Sequence, residues 1–188
     1  MKSAMSLVSA LVIGTLVFGV ASQAAAQSKA DEKRSKINTI AKETLDRLFD
    51  DSPHSKKLYN KAYGYAVFDN IKISLMISAG GGKGVAVVKK SGTRTYMNMG
   101  TAGLNIGLGG QKYQVVFLFE DERTFNNFVE KGWEADANAN AVFWKKGANA
   151  EASFRNGLAV YQLTGTGLML QADIAGTKYW KNKKLNRG

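Results

Sequence analysis

Residues Ile77 to Val88, ISAGGGKGVAVV, set three consecutive glycines, a lysine and a fourth glycine ahead of an apolar run. Glycine leaves backbone N–H groups accessible, and a cation beside them makes a place for phosphate. A nucleotide P-loop needs Ser or Thr directly after its Gly-Lys pair, and then a helix. Here Gly84 follows Lys83, and Val85-Ala-Val-Val88 has the composition of a strand. A dinucleotide fingerprint also requires a helix after its glycines. Both departures argue against nucleotide binding. The stretch predicts a glycine-rich connection between two strands with Lys83 near its apex. Gly81, Gly82, Gly84 and Lys83 then either hold a lipid headgroup phosphate or form a plain turn.

A second group with chemical potential closes the chain. In Thr177 to Gly188, TKYWKNKKLNRG, Tyr179 and Trp180 stand among Lys178, Lys181, Lys183, Lys184 and Arg187. Aromatic rings favour the membrane–water interface, and each basic side chain near an anionic surface adds about 1 kcal/mol. The alternative is a solvated tail with its aromatic residues tucked into the core. Nothing comparable supports catalysis. His54 is the sole histidine and has no nameable acid–base partner. Glu120-Asp121-Glu122 opens a predicted helix, where capping and the helix dipole account for it. Glu134 and Asp136 have no histidine nearby, so a metal site finds little support. No cofactor is expected, and no Gly-x-Ser-x-Gly elbow is present.

The chain has 188 residues, 45% of them hydrophobic, and no cysteine. Disulfides, thiolate metal sites and cysteine nucleophiles are therefore excluded, and the composition fits an oxidising compartment. Lys2, the apolar run Leu7 to Val20 and Ala24-Ala-Ala26 read as a secretory signal over residues 1–26, cleaved before Gln27. The apolar run is shorter than the roughly 20 residues of a spanning helix. Removing residues 1–26 takes away one of 26 basic residues and none of 15 acidic ones, leaving a net charge of +10. For an exported basic domain, an anionic membrane or an acidic polymer is a better partner than nucleic acid.

These candidates need elements to position them. Ser28 to Asp50 predicts a helix, since Ile37, Ile40, Ala41, Thr44, Leu45, Leu48 and Phe49 form one stripe. That stripe lies either on the core or at a membrane interface. Ser52-Pro53 starts a short second helix. From Tyr65 the period becomes two. Ile71, Ile73, Leu75 and Ile77, then Tyr113, Val115, Phe117 and Phe119, then Leu168, Leu170, Ala172 and Ile174 each mark an alternating strand. Lys90 to Thr93 and Gly109 to Lys112 have the residues of hairpin turns. Asp121 to Lys131 returns to helix, ended by Gly132. The expected fold is α+β: an N-terminal amphipathic helix and a mainly antiparallel, glycine-rich sheet, barrel-like if it curls, with one inserted helix.

The order of Ala62-Tyr-Gly-Tyr-Ala-Val-Phe68, Gly80-Gly-Gly-Lys-Gly-Val85, Gly103-Leu-Asn-Ile-Gly107, Gln111 to Phe119, Phe125 to Gly132, Ala135-Asp-Ala137, Tyr161 and Gly167-Leu168 resembles the SYLF lipid-binding domain. The likeness covers nearly all of residues 27–188. It departs at Asp69, where a proline is usual, at Tyr96 to Gly100, and at Ala141 to Trp144. The resemblance implies binding of acidic phospholipids, with the N-terminal helix and basic loops facing lipid, and implies no enzymatic activity. Together these readings predict an exported, periplasmic or secreted, non-enzymatic domain held peripherally at a membrane. Lys83 with Gly81, Gly82 and Gly84, and Lys178, Trp180, Lys181, Lys183 and Lys184, are the candidate lipid contacts. The alternative is an envelope scaffold that meets a protein or an acidic glycan.

Overall fold

The computed structural model describes residues 7–134, 153–165, 167–169 and 176–187, with backbone alone for residues 7–26, 72–79, 103–111 and 169. The side chains of the predicted leader, Asp136, the run Ala141 to Trp144 and the strand positions from Leu170 to Ile174 lie outside the described residues. The elements are α1 (Leu7–Asp51), α2 (Pro53–Lys61), β1 (Gly64–Val88), β2 (Arg94–Phe119), α3 (Glu122–Asn126, continued by a π-helical turn Asn127–Lys131), β3 (Trp133–Glu134), β4 (Leu158–Thr164), β5 (Gly167–Met169) and β6 (Thr177–Lys181). Two compact units divide the chain, the first ending at Lys36 within α1. Everything below concerns the second, from Ile37 onward.

The architecture is α+β with an antiparallel sheet. Its backbone is a single long hairpin, β1 against β2, in which Gly64 faces Phe119 and Val87 faces Arg94. The turn predicted at Lys90 to Thr93 closes it, with Gly92 at φ +71°. Along the other edge of β2, β6 pairs with Met97–Thr101 and β4 pairs with Tyr113–Phe119. The sheet order is β3-β6-β2-β4-β5. An irregularity between Leu75 and Ile77 shifts the β1–β2 register, as bulges do where sheets bend.

The two predicted glycine turns are not turns. Gly80–Gly84 lies inside β1, where Gly81 faces Gly100 and Lys83 faces Asn98. Gly109–Lys112 lies inside β2 opposite Ile71–Ser74. The reason for the glycines is close approach. The first half of β1 runs back past its second half, so a Cβ at Gly82 would stand 2.1 Å from the Asp69 carbonyl oxygen. One at Gly84 would stand 2.2 Å from that of Val67. Only glycine permits backbone to come so near. Gly81, on the opposite face, is under no such constraint, its nearest atom being the Met99 oxygen at 3.6 Å.

The curled sheet encloses an aromatic core. Even positions of β1 and odd positions of β2 point inward: Ala66, Phe68, Ala86, Met97, Met99, Tyr113, Val115 and Phe117. The inserted helix fills the interior with Phe125, Phe128 and Val129, and Gly132 ends it at φ +75°. Ring pairs such as Phe68–Tyr179 (4.7 Å) and Phe117–Phe128 (5.0 Å) interlock the layers. Each fully buried side chain of this size contributes about 1.5–3 kcal/mol. Asp121 caps α3 by accepting from the Thr124 amide at 2.8 Å, as the carboxylate group there predicts.

The outer face is also buried where α1 and α2 cross it. Val67, Val85, Val87, Val116, Leu118, Tyr161 and Leu163 face away from the aromatic core and are covered. The α1 side chains Ile37, Ala41, Thr44, Leu45 and Leu48 are buried as well. Asn38 donates to the Tyr96 hydroxyl (3.1 Å) and Arg47 to the Thr164 carbonyl (2.7 Å), tying the helix across both halves of the sheet. The stripe read from sequence is therefore core from Ile37 on, and the expectation that it faces lipid is overturned there. Ser52 caps α2, as predicted, and Lys89 closes the other end. Its ammonium donates to the carbonyls of Tyr59, Asn60 and Ala62 and lies 4.6 Å from the centre of the Tyr59 ring.

Candidate functional site

Where the helices stop covering the outer face, the sheet presents a row of side chains to solvent. Along β1, outward positions pass from buried Val87 and Val85 to exposed Lys83 and Gly81. Register carries that face across two more strands. Lys83 faces Asn98, and Asn98 faces Trp180; Gly81 faces Gly100, and Gly100 faces Lys178. Cross-strand partners share a face. The glycine stretch and the C-terminal basic segment, almost a hundred residues apart in sequence, thus meet on one surface.

Trp180 is 42% exposed, the most solvent-accessible ring among the buried and exposed large hydrophobics of this face. Its six-membered ring rests over Gly100, with two ring atoms 3.2 and 3.4 Å from where a Cβ would lie. Its neighbour Tyr179 turns the other way and is 1% exposed. Strand alternation separates the two aromatics that sequence placed together. Burial pushes the Tyr179 phenol well above its ordinary value.

The basic residues of the C-terminal segment are not equivalent. Lys178 shares the face with Trp180 but pairs with Glu134 at 3.0 Å. Lys181 projects to the opposite side, beside Met97, and its ammonium contacts both carboxylate oxygens of Glu130 at 2.7 and 2.8 Å. Lys183 and Lys184 are exposed in the turn beyond β6. Lys181 is thus not brought to the Lys83–Trp180 row, and Lys178 arrives partly neutralised. Gly82 and Gly84 also face inward; of the three candidate glycines, Gly81 alone belongs to the outward surface.

Sequence reasoning missed Asn98, Gly100 and Asn182, and weighed Glu134 only as a metal ligand. Asn98 and Gly100 show only as alternate positions in Tyr96-Met-Asn-Met-Gly100, a pattern with no chemical signature. Asn182 organises the turn that ends β6. Its Oδ1 accepts from the amides of Lys184 (3.1 Å) and Leu185 (3.0 Å), and its Nδ2 donates to Asn98 Oδ1 at 2.7 Å. Asn186 completes the link, accepting from the Tyr96 amide and donating to the Tyr96 carbonyl.

His54 stands in the first turn of α2. Asp121 serves as a cap, and the Thr124 amide and hydroxyl hold its carboxyl below the ordinary range. Glu134 is engaged by Lys178. Among the described residues, no three His, Cys, Asp or Glu side chains come together as a metal site. Among those residues, too, no helix is long and apolar enough to cross a membrane.

No family model matches the chain. It is similar to Beta cell expansion factor A of Aeromonas veronii, with 49% identity over 156 residues. That alignment takes in 83% of this chain, which spans 60% of the relative's length.

Proposed function

We propose that this is an exported, non-enzymatic domain of the SYLF type that binds anionic phospholipid headgroups at a membrane surface. The observation that carries the reading is the outward row Lys83, Asn98 and Trp180. It puts a cation, an amide and an exposed indole side by side on a rigid sheet. Lysine attracts the headgroup, and the indole suits the boundary between headgroup and acyl chain. Lys83 has no ion-pair partner among the described residues, and Lys183 and Lys184 add charge in the adjoining turn. The leader-like N-terminus supports export.

A second reading, an envelope scaffold that meets a protein or an acidic glycan, draws on the pairs Lys178–Glu134 and Lys181–Glu130. They lower the positive charge available to a membrane. Sedimentation with vesicles of graded anionic content separates the two. Lipid binding predicts uptake that rises with anionic fraction and falls with salt, as screening shortens the reach of surface charge. Equal uptake by neutral vesicles, or none by either, defeats it. Lys83→Ala should weaken uptake, whereas loss on Lys181→Ala alone would place the contact on the opposite side of the sheet.

A further inference from the structure

We infer that the Lys83–Asn98–Trp180 row recognises a phosphate carried directly on a sugar ring. The inference rests on the binding surface proposed above and narrows its ligand. Its starting point is the orientation of two amides. Asn182 Oδ1 is fixed by two backbone N–H donors, so Nδ2 must be the group turned toward Asn98. A donor facing it requires Asn98 to present Oδ1. The Asn98 amino group is thereby turned away from Asn182. It offers two N–H donors on the outward face, next to Lys83 on one side and Trp180 on the other.

A locked amide donor beside a lysine is a place for an anionic oxygen, since hydrogen bonds to charged groups are the stronger kind. The ring of Trp180 adds a different demand. Two atoms of its six-membered ring lie over Gly100, and 42% of the residue is exposed. An exposed ring held in place is a surface on which another ring can stack. The indole and the Asn98–Lys83 pair share one face of adjoining strands, so a single compact ligand that carries both a ring and an anion can engage both. A glycerol headgroup supplies the anion but no ring. A neutral sugar supplies the ring but leaves lysine and amide without a partner.

The test titrates the protein with α-glucose 1-phosphate, glucose and inorganic phosphate while following indole N–H resonances, with that of Trp180 assigned from Trp180→Phe. The sugar phosphate should move the Trp180 signal and bind about tenfold or more tighter than either half, gaining a charged hydrogen bond over glucose and a stacked ring over inorganic phosphate. Asn98→Asp preserves the acceptor for Asn182 and the side-chain shape but replaces the donor with an anion. It should abolish binding with the melting temperature unchanged, and Trp180→Leu should weaken binding about tenfold. In a second arm, vesicles holding a phosphorylated glucosamine lipid are compared with phosphatidylglycerol vesicles of equal charge. Preference for the former assigns the ring to a membrane lipid; binding of the free sugar phosphate without vesicle preference assigns it to a soluble saccharide. A silent Trp180, equal response to inorganic phosphate alone, or an unaffected Asn98→Asp variant overturns the inference. If phosphatidylglycerol still binds in a salt-sensitive way, the anionic-lipid reading survives that failure.

Discussion

Placing a methyl group on each of three neighbouring glycines should give opposite results one residue apart. A Cβ at Gly82 would lie 2.1 Å from the Asp69 carbonyl oxygen and 3.0 Å from both Asp69 C and Asn70 Cα. Close carbon–oxygen contacts begin near about 3.3 Å, so one half of β1 would have to retreat by about 1.2 Å. The obstruction is backbone within a sheet that pairs on its far side with β2, so it cannot swing away as a side chain would. Overpacking of a dense interior costs about 1–3 kcal/mol, and rigid backbone puts Gly82→Ala toward the upper end, about 3 kcal/mol. At about 2–4 °C per kcal/mol for a domain of this size, its melting temperature should fall about 6–12 °C. Gly84→Ala meets the Val67 oxygen at 2.2 Å and the Phe68 ring at 2.5 Å, and should fall as far. Gly81→Ala meets its nearest atom at 3.6 Å. It should hold or gain stability, by about 0.4–1 kcal/mol, because alanine restricts the unfolded chain. Thermal unfolding followed by circular dichroism reads all three. A Gly82→Ala variant as stable as Gly81→Ala would refute close approach as the reason for the glycines and return them to a turn or a phosphate cradle.

Three further outcomes follow from single side chains. Lys89→Met removes the cation shared by the carbonyls of Tyr59, Asn60 and Ala62 at the end of α2 and should lower stability by about 1.5–3 kcal/mol in urea unfolding. Asp121→Ala should destabilise at neutral pH through loss of the α3 cap. Because the folded state holds this carboxyl below its ordinary 3.8, that stabilisation is fully present above about pH 4 and disappears as pH falls through the depressed value. Urea midpoints of the two proteins should therefore converge on acidification. Burial pushes the Tyr161 phenol up to about 12, and its hydroxyl has no hydrogen-bond partner among the described residues. Its contribution is complete below pH 10 and is lost as pH rises through about 12. Tyr161→Phe should be close to neutral at pH 7 and more stable at alkaline pH by unfolding midpoint, since deleting an unpartnered buried hydroxyl leaves no group unsatisfied.

Much of the fold was legible because its signals are local. The α1 stripe from Ile37 to Leu48, the Ser52-Pro53 start of α2, the Asp121 cap and the Gly132 stop depend on residues three or four apart, and each lies where the spacing puts it. Alternation likewise marked Ile71–Ile77 within β1 and Tyr113–Phe119 within β2. The glycines were misread because a turn glycine and a close-approach glycine look alike in sequence. What distinguishes Gly82 from Gly81 is the carbonyl of Asp69, brought near by the curl of the sheet and not by any neighbour in the chain.

The candidate site divides in the same way. Sequence alone determined that Lys83 and Trp180 are unusual residues in a basic chain, but it kept Tyr179 and Trp180 together, at an interface or in the core. Only the tertiary structure decided that β6 is that strand, that it pairs with Met97–Thr101, and that Lys83 and Trp180 therefore share a surface. It also decided which lysines are engaged, since Glu130 and Glu134 reach Lys181 and Lys178 through pairings that no local spacing encodes. The physical reason is register. Hydrophobic patterning fixes which face of a strand is buried, but the partner opposite each residue is set by the packing of the whole sheet.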